Sequence, residues 1–108
     1  MTNITIQMDE NIVRITGVNH AFGSPETCHG ISTMFYALEG FLANNEVKVK
    51  NHSSDLKGGY AFIEFEPISD SMKSVLSMFY IGLAQIVNCY DNEYAKLRVD
   101  NNFLEYIS

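Results

Sequence analysis

A histidine and a cysteine eight positions apart, His20 and Cys28, are the residues of this sequence best suited to nucleophilic catalysis. Cys28 follows a helix-start pattern, Ser24-Pro25-Glu26-Thr27, with a capping serine, a proline suited to the first helical position and an acid that complements the positive end. A thiol in the first helical turn is stabilised as thiolate, and a nearby imidazole can accept its proton. The pattern therefore predicts a nucleophile and its base. Because free cysteines are more often packing residues, the spacing alone leaves a structural role open.

The segment that carries His20 is bounded by Gly17 and Gly23. Glycine gives the backbone freedom that a moving loop requires. We expect both glycines to be hinges of a loop that can bring His20 toward Cys28.

The remaining histidines and the second cysteine are weaker candidates. Adjacent helical side chains point about 100° apart, so His29 is not expected to serve as the base for Cys28. His52 is expected on the surface, and Cys89 in the core face of an apolar helix. The sequence has no paired metal-ligand spacing and no glycine-rich phosphate loop before a helix, so it predicts no metal and no cofactor.

Hydrophobic periodicity predicts seven elements in the order ββαββαβ. The predicted strands cover residues 3–8, 11–16, 46–51, 60–66 and 94–99, and the predicted helices begin after residue 24 and after residue 69 or 70. Residues 53–59 are predicted to form a turn-rich connection. This order favours an α+β fold of two layers, with two helices on one face of a mostly antiparallel sheet and a single domain over 1–108.

Length and charge limit the classes of function. The chain has 108 residues and a formal net charge of −6, from 13 acidic and 7 basic residues. Since nucleic-acid binding normally uses clustered Lys and Arg, no direct contact with nucleic acid is expected. The charge either attracts a basic partner or only keeps the protein soluble. No apolar run has membrane-spanning length and no signal pattern is present, so the expected location is the cytoplasm, without membrane association.

Two stretches of the sequence resemble the bacterial ribosomal-processing cysteine proteases. In the first, Gly17-Val-Asn-His20-Ala21 leads through Phe22-Gly23 to Cys28-His-Gly-Ile-Ser32. This is similar to the family's glycine–histidine–alanine step, glycine-rich loop and helix-opening cysteine with a serine four residues later. In the second, Phe79-Tyr-Ile-Gly82-Leu83 through Tyr90 resembles the family's closing helix.

The resemblance implies a homodimeric endopeptidase that trims a short N-terminal extension from a large-subunit ribosomal protein, or from a phage capsid or scaffold protein. It assigns His20 as base, Cys28 as nucleophile and Ser32 as a supporting residue. Glu26 takes the place of an acid that precedes the family's cysteine, although its position is shifted by one. The segment from His20 to Cys28 is also shorter than in typical members. The alternative is therefore a non-catalytic relative of the same fold that binds a peptide or protein.

Overall fold

The computed structural model describes the whole chain, Met1–Ser108. Five strands and three α-helices follow one another in the order β1, β2, α1, β3, β4, α2, β5 and α3, with one 3-10 turn, Glu46–Lys48, before β3. The strands are β1 Thr2–Asp9, β2 Ile12–Val18, β3 Val49–Lys57, β4 Tyr60–Pro67 and β5 Ala95–Val99. The helices are α1 Pro25–Asn44, α2 Ser71–Asn88 and α3 Asn101–Ile107.

The five strands form one sheet in the order β3-β4-β2-β1-β5. Only β1 and β5 are parallel; the pairs β1–β2, β2–β4 and β3–β4 are antiparallel. The predicted β1–β2 hairpin is confirmed, and it turns through Glu10 and Asn11, which have positive φ angles of 49° and 71°. Two consecutive residues with positive φ match the sense of the strand twist in a two-residue hairpin.

One face of this sheet carries the hydrophobic core. Alternate residues of the three central strands are buried, because successive side chains of a strand point to opposite faces. They pack in a single cluster with the apolar faces of α1 and α2. Buried members of the cluster include Ile4, Ile6, Val13, Ile15, Ile63 and Phe65 from the strands and Phe35, Leu38, Leu76 and Leu83 from the helices. The predicted α+β fold, with helices on one face of a mostly antiparallel sheet, is confirmed.

The start of α1 also follows the prediction. Ser24 is the N-cap, and its Oγ accepts a hydrogen bond from the Thr27 N–H at 3.2 Å, while Pro25 takes the first helical position. A serine cap satisfies one of the backbone donors that every helix leaves free in its first turn. The local sequence therefore fixes where Cys28 stands on the helix.

Two parts of the chain differ from the predicted elements. Strand β3 begins at Val49 and continues to Lys57, so most of the stretch predicted as a turn-rich connection is paired with β4 instead. The pairing changes register between Lys50 and Ser53, where Asn51 has a φ of 57°. This bulge interrupts the polar–apolar alternation by which the strand would be recognised in the sequence.

The third helix, α3, was not predicted. Asp100 caps it by accepting a hydrogen bond from the Phe103 N–H at 2.9 Å, and its second carboxylate oxygen accepts one from the Met8 N–H at 3.0 Å. Phe103 is fully buried against the core. No helix of the protein has the length and apolar character needed to cross a membrane.

Candidate active site

A cleft of about 160 Å³ lies between the start of α1 and the turn that joins β3 to β4. The side chains of His20, Cys28 and Ser32 all line it. The structure thus brings together the predicted nucleophile, its predicted base and one of the two predicted supporting residues. The sheet contributes Gly17 from β2 and the hairpin segment 56–61 from β3 and β4.

Cys28 is the fourth residue of α1 and is half-buried. Its own N–H donates to the Ser24 carbonyl at 3.1 Å, as in any regular helix. Pro25 has no N–H, and the Thr27 N–H donates to the Oγ of the capping Ser24. The Glu26 N–H is therefore the one free backbone donor of this turn. The predicted stabilisation of negative charge at the helix start therefore comes from one free N–H and the helix dipole.

His20 is exposed and lies in a loop that runs from Asn19 to Ser24, in which Ala21 and Ser24 are buried. A Cβ placed on Gly59 would lie 3.0 Å from His20 Nε2, so the imidazole ring packs directly against the Gly59 backbone. The ring of Phe22, two residues later in the same loop, has its centroid 5.6 Å from that of the His20 ring. The only histidine ring with a hydrogen-bond partner is that of His52, so no hydrogen bond joins His20 to Cys28 in this structure.

The two predicted hinges have different environments. Gly17 lies inside β2, paired with Ile4 on one side and Ala61 on the other, and a Cβ there would be 3.3 Å from the Phe35 ring. The hinge prediction for Gly17 is wrong, because a residue held in two strand ladders cannot rotate freely. Gly23 has a φ of 91° in the turn where the Ser24 N–H donates to the Ala21 carbonyl, a conformation that favours glycine. Its role as a hinge remains a prediction.

Comparison with solved structures identifies the architecture. The crystal structure of the ribosomal processing protease Prp from S. aureus with a substrate peptide superimposes with a TM-score of 0.64, over 93% of this chain and 100% of that chain, at 16% identity. The complex of that protease with a covalently linked product peptide gives a TM-score of 0.62 at 18% identity and the same coverage. This chain has the Prp fold.

A third structure, SMU.848 from Streptococcus mutans, has a TM-score of 0.62 and 18% identity, over 92% of this chain and 93% of its own. No protein-family model and no curated protein sequence matches the chain. The fold is therefore visible in the structure, whereas the sequence has diverged from these proteins at more than four positions in five.

On this Prp fold the second predicted supporting residue, Glu26, lies apart from the cleft lining. Its Oε2 is 3.4 Å from the Oγ of Ser24, and the same hydroxyl is 2.8 Å from Thr27 Oγ1. Glu26 thus belongs to the capping network of α1. Its supporting role, like that of Ser32 on the exposed face one turn after Cys28, remains a prediction.

Several residues of the site were not singled out in the sequence. Tyr36 from α1 and Tyr60 from β4 line the cleft and are 62% and 42% exposed, so they present aromatic surface to any bound peptide. The position of Tyr60 in the cleft has no local sequence signal, since it depends on how β4 pairs with β2 and β3. His52, which was expected on the surface, lies outside the cleft lining; it is half-buried, and its Nε2 is 2.9 Å from Glu39 Oε2.

The prediction for Cys89 is wrong. It is exposed and lies just beyond the end of α2, whereas the last buried residues of that helix are Leu83 and Val87. A residue two positions after Val87 lies on the opposite side of the helix from the buried stripe. The sequence did not indicate this position, because α2 is rich in apolar residues and its end could not be located from them.

The electrostatics of the cleft differ from those of the molecule. Lys57 is the only cleft-lining residue with a permanent charge, and its Nζ lies 3.2 Å from Asp55 Oδ2. The one shifted pKa is remote from the cleft: burial raises the pKa of Tyr106, and the nearby charge of Asp70 raises it further. The net charge of −6 is thus carried by surfaces outside the cleft.

Proposed function

We propose that the protein is a cysteine endopeptidase of the Prp-like family, with Cys28 as nucleophile and His20 as base. The observation that carries the proposal is the joint position of His20 and Cys28 on one cleft. The fold is that of a ribosomal processing protease whose crystal structures contain a substrate peptide and a covalently linked product peptide.

In this mechanism His20 takes the proton of the Cys28 thiol, and the thiolate attacks the carbonyl carbon of the scissile peptide bond. His20 then returns the proton to the departing amine, leaving a thioester on Cys28. Water, activated by the same imidazole, hydrolyses the thioester and regenerates the thiol. The free N–H of Glu26 and the helix dipole favour negative charge at this end of α1.

His20 must move to perform these steps, because its Nε2 faces Gly59 in this structure. The residue is exposed, and its ring makes no hydrogen bond that would have to be broken. Catalytic hydrogen bonds often tighten only when substrate is bound. Peptide binding would therefore bring the imidazole to the thiol, with Gly23 absorbing the change in backbone angle.

The proposed substrate is the N-terminal extension of a large-subunit ribosomal protein or of a phage capsid or scaffold protein. Support comes from the fold shared with the S. aureus ribosomal processing protease. The net charge of −6 also suits a precursor with a basic mature region.

We also propose that the active species is a homodimer in the cytoplasm. Phe22, Val47 and Met78 are apolar and at least 70% exposed, and a small domain often covers such residues with a second copy. Sedimentation at micromolar concentration tests this. A monomer under conditions where the protein is active would contradict it.

Incubation with precursor proteins, followed by mass spectrometry of the products, tests the endopeptidase. We expect one cut near the N-terminus, lost in Cys28→Ala and in His20→Ala and retained in Cys89→Ser, which removes the exposed thiol. A cut that survives Cys28→Ala would overturn the assignment of the nucleophile.

The alternative is a non-catalytic peptide-binding protein. It is favoured by the absence of a hydrogen bond between His20 and Cys28 and by the engagement of the Cys28 N–H within the helix. Stable capture of an uncut precursor by the wild-type protein would support this role and contradict the endopeptidase.

A further inference from the structure

The residue before His20 has an unusual backbone conformation. Asn19 has a φ of 73°, in the left-handed region that side-chain-bearing residues seldom adopt, although asparagine tolerates it better than most. Such a conformation persists only where the surroundings hold it. Because His20 is the next residue, the torsion angles of Asn19 set the direction in which the imidazole leaves the sheet.

Two hydrogen bonds hold the Asn19 backbone, one on each side. Its N–H donates to the Gly59 carbonyl at 2.9 Å, and its carbonyl accepts from the Thr2 hydroxyl at 3.1 Å. The first bond ties the His20 loop to the same glycine that the imidazole packs against. The second ties the loop to the first residue of β1.

Thr2 is itself firmly placed. It is 6% exposed, its N–H donates to the Tyr94 carbonyl at 3.1 Å, and it pairs with Ala95 in the parallel ladder between β1 and β5. The Tyr94 ring in turn lies 3.1 Å from the position of a Cβ on Gly23, at the other end of the His20 loop. Thr2 therefore connects to both ends of the loop that carries the base.

We propose that Thr2 is a positioning residue for His20, acting through its hydroxyl on the Asn19 carbonyl. The hydroxyl fixes the left-handed backbone of Asn19, and this aims the imidazole at the cleft that contains Cys28. The inference rests on the proposed function for its effect on catalysis. The effect on His20 itself is measurable in the absence of any cleavage.

Thr2→Val tests the hydroxyl with little change of shape. Thr2→Ser keeps the hydroxyl, and Thr5→Val makes the same exchange in β1 at a threonine whose side chain makes no hydrogen bond. We expect Thr2→Val to lower kcat for a cleaved precursor by about 10-fold to 100-fold, because misplacement of a catalytic group by about 1 Å can have such an effect. KM should be unchanged, Thr2→Ser should restore most of kcat, and Thr5→Val should behave as wild type.

The second measurement is the NMR spectrum of histidine-labelled protein, with the His29 and His52 signals as internal references. Thr2→Val should shift or broaden the His20 ring signals and leave the other two in place. If the signals of His20 in Thr2→Val match those of wild type, the proposal is wrong. In a further outcome, the wild-type protein cleaves no precursor while its His20 signals still respond to Thr2→Val as expected. That result would contradict the endopeptidase and support the positioning role of Thr2.

A second pair of variants covers the case in which Thr2→Val does not fold. Asn19→Gly keeps both backbone hydrogen bonds and accepts a positive φ, whereas Asn19→Ala keeps the bonds but resists that conformation. We expect the His20 signals to stay in place in Asn19→Gly and to move in Asn19→Ala. Equal spectra for the two variants would mean that the left-handed conformation of Asn19 does not aim the imidazole.

Discussion

At the scale of single residues, the two cysteines differ in opposite directions in solvent exposure and in the groups that could activate the thiol. Cys89 is exposed, whereas Cys28 is half-buried, so access alone would make Cys89 the faster to react. Cys28 lies at the start of α1 and shares its cleft with His20, its proposed base. The order of their reaction rates therefore reports on activation rather than on exposure.

We expect Cys28 to be alkylated faster than Cys89 by iodoacetamide at neutral pH. The rates are read by mass spectrometry in Cys89→Ser and Cys28→Ser, each with one thiol left. His20→Ala should slow the reaction of Cys28 and leave that of Cys89 unchanged. Faster reaction at Cys89, or no effect of His20→Ala, would contradict the pairing of Cys28 with His20.

The two glycines of the β3–β4 turn form a matched pair for testing the contact below His20. A Cβ on Gly59 would meet His20 Nε2 at 3.0 Å, whereas a Cβ on Gly58 would meet nothing within 4 Å. Gly59→Ala should shift the resting position of the imidazole by a few tenths of an ångström, because 3.0 Å is shorter than an ordinary contact between a carbon and a ring nitrogen. It should also lower stability, since Gly59 has a φ of 80°.

Cleavage rates of folded Gly59→Ala and Gly58→Ala at saturating precursor provide the test. We expect kcat for folded Gly59→Ala to equal that for folded Gly58→Ala, because in the proposed mechanism His20 leaves Gly59 when it moves to Cys28. An unfolding curve for each variant separates loss of folded protein from loss of rate. A loss of about 10-fold or more confined to folded Gly59→Ala would show that the imidazole acts from its position over Gly59, and would contradict the proposed movement.

At the scale of elements, the sequence predicted those features that depend on residues adjacent in the chain. The serine cap and following proline of α1 are adjacent in sequence, so the start of the helix and the position of Cys28 on it could be read directly. The extent of β3 could not, because its residues after the bulge are polar and are held by β4. The contact between His20 and Gly59 likewise depends on two segments that meet only in the folded sheet.

Helix α3 has a local signal in the sequence, its capping residue Asp100. Asp100 is followed at the third position by Phe103, the residue whose N–H the aspartate caps. What the sequence does not contain is the second bond, from the Met8 N–H to the same carboxylate across the fold. That bond anchors the short helix to the end of β1.

Asp100→Ala removes both interactions at once. We expect the free energy of unfolding in urea to fall by about 2 kcal/mol, the upper end for a helix cap, because the Met8 N–H also loses its partner. Glu105→Ala, on the exposed face of the same helix, should change it by less than about 0.5 kcal/mol. A loss for Asp100→Ala no larger than that for Glu105→Ala would show that the cap does not stabilise α3.

At the scale of the whole molecule, the excess negative charge lies outside the cleft, whose one charged lining residue, Lys57, is paired with Asp55. The protein carries a net charge of −6, yet the only permanent charge lining the cleft is the cation Lys57. Attraction of a basic precursor must therefore act on the parts of the substrate that stay outside the cleft. It would raise the rate of encounter rather than the rate of bond cleavage.

Salt should accordingly raise KM for a precursor with a basic mature region and leave kcat unchanged. Interactions between exposed charges weaken as ionic strength rises, because the screening length falls from about 10 Å at 0.1 M to about 3 Å at 1 M. The matched control is a precursor with the same N-terminal extension and a neutral mature region, which fills the cleft identically. Its KM should respond little to salt. If salt raises KM equally for both precursors, or lowers kcat for either, the acidic surface does not recruit the substrate and only keeps the protein soluble.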